Sequence, residues 1–176
     1  MAFDPTGIAT LEVGGSNFKV LDEGSYEFEV DSAEWGQSKK GVPMLTVTFV
    51  GTDDKSSGAT FTDRVVITYP NRKTGKDVIH WNIPMYAHVA GGEKLFPADA
   101  KKRAAVLKDF EKWQDAVAKG LIGKKAVLDL EVQEGTPYLD PKTGEEKQGY
   151  ASNNVARNGY HWADTGNTKS ASSVVI

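Results

Sequence analysis

Polar and hydrophobic residues alternate along the first half of the chain in the pattern typical of half-buried strands. Residues 25–35 alternate aromatic and aliphatic side chains with acidic ones, and residues 43–50 place leucine, valine and phenylalanine on one face and threonines on the other. Because every second side chain of a strand shares a face, both segments predict strands with one face in water. A third run at 59–69, rich in β-branched and aromatic residues, predicts another strand. Glycine-rich and polar connections at 36–41 and 51–58 predict turns between them.

The hydrophobic spacing becomes helical in the second half of the chain. Apolar residues there recur at steps of four, three and four, which predicts one helix from about 100 to 119. These residues are Val106, Phe110, Trp113 and Val117. Asp99 is predicted to cap this helix and Gly120 to end it. A shorter helix is predicted over residues 84–90, with a proline in its first turn and two glycines after it.

Strand alternation returns near the end of the chain, at 125–132 and again near 149–157. Turn-forming residues at 140–145 predict a hairpin tip between the two segments. Three strands, a helical insertion and two further strands follow the order of an OB-fold. We therefore expect a mainly β chain, a five-stranded OB-fold (Greek-key barrel) with a helical insertion between strands 3 and 4. A β-sandwich is the competing architecture, but a single amphipathic helix in mid-chain suits it less well.

Three regions are expected along the chain. An amino-terminal arm covers residues 1–22, the OB-fold domain covers 23–162, and a flexible tail covers 163–176. The tail is assigned on its small and polar residues, a composition that buries too little apolar surface to fold alone.

Composition excludes several classes of protein. With 39% hydrophobic and 26% charged residues, the 176-residue chain has the composition of a globular domain, and no apolar run approaches the ~20 residues that cross a bilayer. The chain contains no cysteine, which excludes disulfides and thiolate metal sites. Since no basic and apolar leader begins the sequence, a cytoplasmic protein without membrane contact is expected.

The net charge of -3 conceals an uneven distribution. Residues 1–34 contain eight acids and one lysine, a net charge of -7, which leaves +4 on residues 35–176. This distribution leaves the larger part of the chain able to meet an anionic ligand, and charge alone fits a mixed, well-solvated surface equally well.

Motifs for catalysis or metal binding are missing from the sequence. The three histidines lie in no nucleophile motif, and His80 and His88 are too far apart for a helical zinc pair, so structural or surface roles are favoured for them. Asp53 and Asp54 lie in a segment typical of a solvated turn. We expect a protein that is not an enzyme and needs no cofactor or metal.

Basic segments interleaved with aromatic residues are the strongest functional signal. Cations follow phosphates and flat rings stack on bases, which is what sequence-tolerant single-strand binding requires. Tyr150 shares its strand phase with Ser152 and Asn154, which predicts that it faces solvent or ligand. The lysines of the long helix are interpreted as a solvated face. The candidate nucleic-acid-binding residues are Trp35, Lys39, Lys40, Arg64, Tyr69, Arg72, Lys73, Lys76, Trp81, Tyr150 and Arg157.

Several short motifs resemble a family of bacteriophage proteins. These motifs are Glu23-Gly24-Ser25-Tyr26-Glu27-Phe28, Ser38-Lys39-Lys40-Gly41-Val42-Pro43-Met44-Leu45, the Trp81 segment ending in Ala90-Gly91-Gly92, Gly123-Lys124-Lys125 and the Asn154-Val155 region. The family was long catalogued as of unknown function and is associated with OB-fold single-stranded DNA binding. The resemblance covers about residues 20–160 and adds Lys124, Lys125 and Asn154 to the candidate binding residues.

The resemblance implies a role in phage DNA replication or recombination in the host cell cytoplasm. The implied partner is single-stranded DNA, together with phage replication or recombination proteins and a homo-oligomer on the DNA. The chain ends in small and apolar residues rather than in the acidic tail that many replication-type binders use to recruit enzymes, so recruitment through the tail is not expected.

A different class of function stays open at the level of sequence. A non-enzymatic β-module that binds carbohydrate or protein, as in virion decoration or inhibition of a host enzyme, would also use exposed aromatic rings. The carbohydrate module would need Asp and Asn hydrogen-bonding groups more than Lys-Lys and Arg-Lys loops. An inhibitor would use the acidic amino-terminal face instead.

Overall fold

The computed structural model describes residues 19–163. Nine strands and three α-helices follow one another in this part of the chain. The strands are β1 (Gly24–Gln37), β2 (Pro43–Gly51), β3 (Thr60–Val66), β4 (Thr68–Pro70), β5 (Asp77–Ile79), β6 (Lys125–Gln133), β7 (Tyr138–Leu139), β8 (Glu146–Lys147) and β9 (Ser152–Trp162). The helices are α1 (Asn82–Gly91), α2 (Ala100–Leu107) and α3 (Phe110–Leu121), with a short 3-10 turn at Gly92–Lys94.

The main sheet contains five antiparallel strands in the order β3-β2-β1-β6-β9. The two remaining pairs, β4-β5 and β7-β8, form separate two-stranded hairpins. The alternation expected at 25–35 and 43–50 is confirmed, because the apolar phase of both strands faces the core. The core side chains of the sheet include Phe28, Val30, Leu45, Val47, Phe49, Ala126, Leu128 and Leu130.

Helices α1 and α3 cover the core, and the helical segment differs from the expected one in two respects. The single helix expected at 100–119 is two helices, because the side chain of Asp109 accepts a hydrogen bond from Lys112 N (3.3 Å) and starts a new helix there. The capping role of Asp99 is confirmed by its bond from Lys102 N (2.9 Å). Gly120 does not end the helix. It lies inside α3, where an added Cβ would be 2.4 Å from the carbonyl oxygen of Ala90, so it permits α1 and α3 to approach.

The mainly β architecture is confirmed, and the helices lie between the third and fourth strands of the main sheet as expected. A closed barrel is not observed, because backbone pairing in the described part of the chain ends at β3 on one side and β9 on the other. The run expected as one strand at 59–69 is also divided, into β3 and β4, and β5 was not expected at all.

Side chains connect the two edges of the sheet in place of backbone pairing. The Asp63 carboxylate on β3 accepts hydrogen bonds from the hydroxyls of Tyr86 on α1 (2.6 Å) and Tyr160 on β9 (2.8 Å) and from Asn82 Nδ2 (3.3 Å). Burial is the main cause that raises the pKa of both tyrosines, so their hydroxyls stay protonated and donate. We call these four residues the Asp63 junction. The junction holds β3, β9 and α1 together.

The regions expected at the two ends of the chain lie mostly outside the described residues. Residues 1–18 of the expected arm and 164–176 of the expected tail are in this category. Leu21 is buried, and its backbone exchanges two hydrogen bonds of 2.8 Å with the side-chain amide of Asn153. Within residues 19–163, no helix combines the length and hydropathy that crossing a membrane requires.

Candidate nucleic-acid interface

The hairpin of β4 and β5 carries the most basic of the segments singled out from the sequence. Its turn forms locally, because the Asn71 side-chain oxygen accepts hydrogen bonds from Lys73 N (2.8 Å) and Thr74 N (3.3 Å) and Gly75 adopts a φ of +68°. Backbone pairing of Thr68 with Ile79 then closes the hairpin. We call this element, with the exposed cations Arg72, Lys73 and Lys76, the basic hairpin.

Three aromatic rings adjoin the basic hairpin and form a continuous group. The rings of His80 and Trp81 are stacked, with centroids 5.7 Å apart and planes 23° apart. Tyr69 meets His80 edge to face at 5.5 Å. Trp81 is 57% exposed and Tyr69 39% exposed, so these large rings present area to solvent. We call Tyr69, His80 and Trp81 the aromatic platform.

Backbone and side-chain hydrogen bonds fix the platform to the sheet and to α1. His80 N donates to the carbonyl oxygen of Ile67 (2.9 Å), directly before β4. His80 Nδ1 accepts a hydrogen bond from Asn82 N (3.2 Å). Trp81 is the N-cap residue of α1, so the positive end of that helix dipole lies beside the platform. The platform is therefore held by hydrogen bonds beside the N-terminus of α1.

The cations near the platform are exposed to solvent. Arg64 of β3, Arg72, Lys73 and Lys76 are all exposed, and none of them forms an ion pair with any residue between 19 and 163. Asp63, which precedes Arg64, is already occupied by the three donors of the Asp63 junction.

The β1–β2 turn extends from the same end of the sheet as the basic hairpin. Gln37 pairs with Pro43, and the carbonyl oxygen of Pro43 accepts a bond from Ile67 N (2.9 Å). The exposed side chains of Lys39 and Lys40 lie in this turn. The predicted residues that the fold brings to this end are Lys39, Lys40, Arg64, Tyr69, Arg72, Lys73, Lys76 and Trp81.

Trp35 lies elsewhere, against helix α3. Its ring centroid is 5.6 Å from that of Trp113 and 6.4 Å from that of Phe110. Its indole Nε1 donates to the carbonyl oxygen of Gln114 (3.0 Å). These contacts favour a packing role for Trp35 over base stacking.

The other predicted residues are not brought to the platform. Lys124 and Lys125 start β6, where Lys125 Nζ lies 3.9 Å from a carboxylate oxygen of Glu29. Tyr150, Asn154 and Arg157 belong to β9 and the segment before it. Asn154 of β9 pairs with Glu131 of β6. The preceding residue of β6, Leu130, pairs with Gly24 at the start of β1, so Asn154 lies near the opposite end of β1 from Gln37. Tyr150 is 97% exposed, which agrees with the solvent-facing phase expected for it.

His80 is the platform residue that sequence patterns assigned to a structural role. The available signal was its position directly before Trp81, but only the pairing of β4 with β5 shows that it also reaches Tyr69.

Asp53, which was expected in a solvated turn, supports the fold through its hydrogen bonds. Its carboxylate accepts bonds from Glu27 N (2.9 Å) and from the backbone and hydroxyl of Ser56 (both 2.6 Å), and these bonds lower its pKa to about 2.

A family model matches most of the chain. The family model described as a protein of unknown function, DUF669, matches residues 9–136. The match includes the aromatic platform and the basic hairpin, whereas β7, β8 and β9 lie beyond it. No curated protein matches the chain.

Proposed function

We propose that this chain, which belongs to the DUF669 family of proteins of unknown function, binds single-stranded DNA without sequence preference. The observation that carries the proposal is the aromatic platform bordered by exposed cations. Bases stack on exposed aromatic rings whatever their identity, and each such contact contributes about 1–3 kcal/mol. Arg64 and the basic hairpin supply the charges that follow the phosphates.

The strand arrangement supports an OB-fold as part of the same proposal. The order β3-β2-β1-β6-β9 would become a closed five-stranded barrel if β3 paired with β9. The Asp63 junction already joins these two edges, and the contact of Phe49 on β2 with Tyr160 on β9 (6.4 Å between centroids) brings β9 over the same face of the sheet. An OB-fold is a partly open barrel that binds oligonucleotides on one face and its loops.

The biological role that follows is protection of single strands during phage DNA replication or recombination, in the host cytoplasm and without chemistry of its own. Replication or recombination proteins of the phage, and further copies of this chain on the DNA, are the partners in this proposal. A carbohydrate-binding module fits the platform less well, because the side-chain oxygen of Asn71 is occupied within the turn and that of Asn82 is buried. The exposed charges of the adjoining hairpin are three cations and the single acid Asp77.

Tryptophan fluorescence tests the proposal directly. Trp81 is the most exposed tryptophan, while Trp35 and Trp162 are half-buried and Trp113 is buried, so a stacked base should quench mainly Trp81. We expect quenching by oligothymidylate at lower concentrations than by duplex DNA, and weaker binding at higher salt. Trp81→Phe should remove most of the quenching, whereas the matched control Trp35→Phe should retain it.

Two results would count against single-strand binding. Equal affinity for duplex DNA, or an affinity that does not depend on salt, would contradict the electrostatic part of the proposal. Quenching by a neutral oligosaccharide but not by DNA would support the carbohydrate-binding module instead.

A further inference from the structure

The neutral form of His80 is fixed by its position in the platform. Because Asn82 N donates to His80 Nδ1, that nitrogen carries no proton, and the proton of the neutral ring is on Nε2. Burial lowers the pKa of His80, and the negative charge of Asp63 opposes this effect only in part. His80 therefore presents one N–H donor at neutral pH.

The bond that fixes His80 is itself supported by the Asp63 junction. Asn82, which is only 4% exposed, donates through its side chain to Asp63, and its own Oδ1 is buried without a hydrogen-bond partner in the described structure. The same Asp63 oxygen accepts the hydroxyls of Tyr86 and Tyr160. Asn82 thus bonds to Asp63 through its side chain and to His80 through its backbone N–H, and the second bond orients the His80 ring.

The free nitrogen of His80 points to the edge of the ring stack. Nε2 has no hydrogen-bond partner among residues 19–163 and is not among the buried unpartnered atoms, so solvent reaches it. The ring lies within 23° of the plane of Trp81, so an N–H in that plane points sideways. A base stacked on Trp81 would present its face to the platform, and its sugar-phosphate chain would run along the edge.

We propose that His80 is a positioning residue of the DNA site, whose Nε2–H donates to a phosphodiester oxygen of the nucleotide stacked on Trp81. This inference rests on the proposed single-strand binding and deepens it. The chemistry recognised is an anionic phosphodiester oxygen. The cations of the basic hairpin then act on the neighbouring phosphates, while His80 fixes where one nucleotide sits.

Two oligonucleotides separate contacts with phosphate from contacts with bases. One is oligothymidylate, and the other is an oligomer of the same length built from abasic sites, which keeps the phosphates and lacks the bases. His80→Phe keeps a ring beside Trp81 but has no donor. His80→Gln replaces the ring by an amide whose N–H2 group can reach the place of Nε2. His88→Phe is the matched control, because His88 is exposed on α1 outside the platform.

We expect His80→Phe to weaken the binding of both oligomers by at least about tenfold, which is about 1.4 kcal/mol, because the hydrogen bond to a charged oxygen is lost. His80→Gln should restore most of the affinity for the abasic oligomer. Trp81→Ala should weaken only the binding of oligothymidylate. His88→Phe should change neither.

Nuclear magnetic resonance of the 15N-labelled wild-type protein gives a readout that needs no variant to fold. The Nδ1 shift of His80 should be that of an unprotonated nitrogen, and the Nε2 shift should move on saturation with the abasic oligomer. Protonated Nδ1, an unmoved Nε2, or a His80→Phe penalty that vanishes on the abasic oligomer would each overturn the role of His80 alone. Failure of the wild-type protein to bind oligothymidylate would overturn the proposed function as well.

Discussion

Removal of the three cations of the basic hairpin should flatten the salt dependence of DNA binding. Each phosphate neutralised on a single strand contributes about -0.7 to the slope of log affinity against log salt. The wild-type protein, with four cations at the site, should show a slope of about -3; these cations are Arg64, Arg72, Lys73 and Lys76. The triple alanine variant of the hairpin retains only Arg64 and should show a slope of about -0.7. From 50 to 200 mM salt, affinity should therefore fall about fifty-fold for the wild-type protein and about threefold for the triple alanine variant.

Fluorescence anisotropy of a labelled oligothymidylate measures these slopes. The matched control is Lys101→Ala with Lys108→Ala and Lys112→Ala, which removes the same charge from exposed positions on and beside α2 and α3. The control should keep a slope near that of the wild-type protein. If the helix variant flattened the slope and the hairpin variant did not, the DNA-binding face would lie on the helices and our placement of it would be refuted.

Four further outcomes test the packing that supports the site. Tyr86→Phe should lower the free energy of unfolding in urea by about 2 kcal/mol, because it removes a buried hydrogen bond to the charged Asp63, and an unchanged value would refute the junction. Gly120→Ala should destabilise by about 3 kcal/mol or more, since its Cβ would meet a carbonyl oxygen of α1; a neutral effect would contradict the close helix contact. Trp35→Ala should lower stability by about 3 kcal/mol with DNA affinity unchanged at high salt, whereas lost affinity would make Trp35 a stacking residue. The difference in unfolding free energy between the wild-type protein and Asp53→Asn should be constant above pH 3.8, the ordinary pKa of an aspartate. It should shrink as the pH falls toward about 2, because the Asp53 carboxylate of the folded protein then takes up a proton. A difference that does not depend on pH in this range would contradict the hydrogen bonds to Asp53.

Much of the fold follows from local patterns. The alternation at 25–35 and 43–50 gave the two central strands, because the spacing of apolar residues directly sets the buried face of a strand. The break between α2 and α3 was not predicted, since the apolar spacing continues through Asp109 and only the capping bond interrupts the helix. Gly120 was misinterpreted for a related reason, because a glycine that ends a helix and one that admits a neighbouring helix look alike in sequence.

The candidate interface could be predicted only in part. Basic residues beside aromatic ones pointed to the segment that contains Tyr69 and Trp81, and this information is local. Trp35 and Tyr150 were both among the candidate binding residues, but a ring at the end of a strand can lie over a helix or in solvent. The position of α3 buries much of Trp35, whereas Tyr150 is exposed. The role of His80 depends on the β4–β5 pairing, which brings it to Tyr69.

Composition and spacing thus determined a mainly β chain with a helical insertion, and they identified the cations and rings available to a ligand. Tertiary structure decided which of these lie together, because long-range pairing rather than local spacing sets the neighbours of a loop. It brought the β1–β2 turn and the basic hairpin to one end of the sheet and left Lys124 and Tyr150 apart from them. It also joined the two edges of the sheet through the partly buried carboxylate of Asp63, since a charge drawn away from water must be satisfied by donors and these came from β9 and α1.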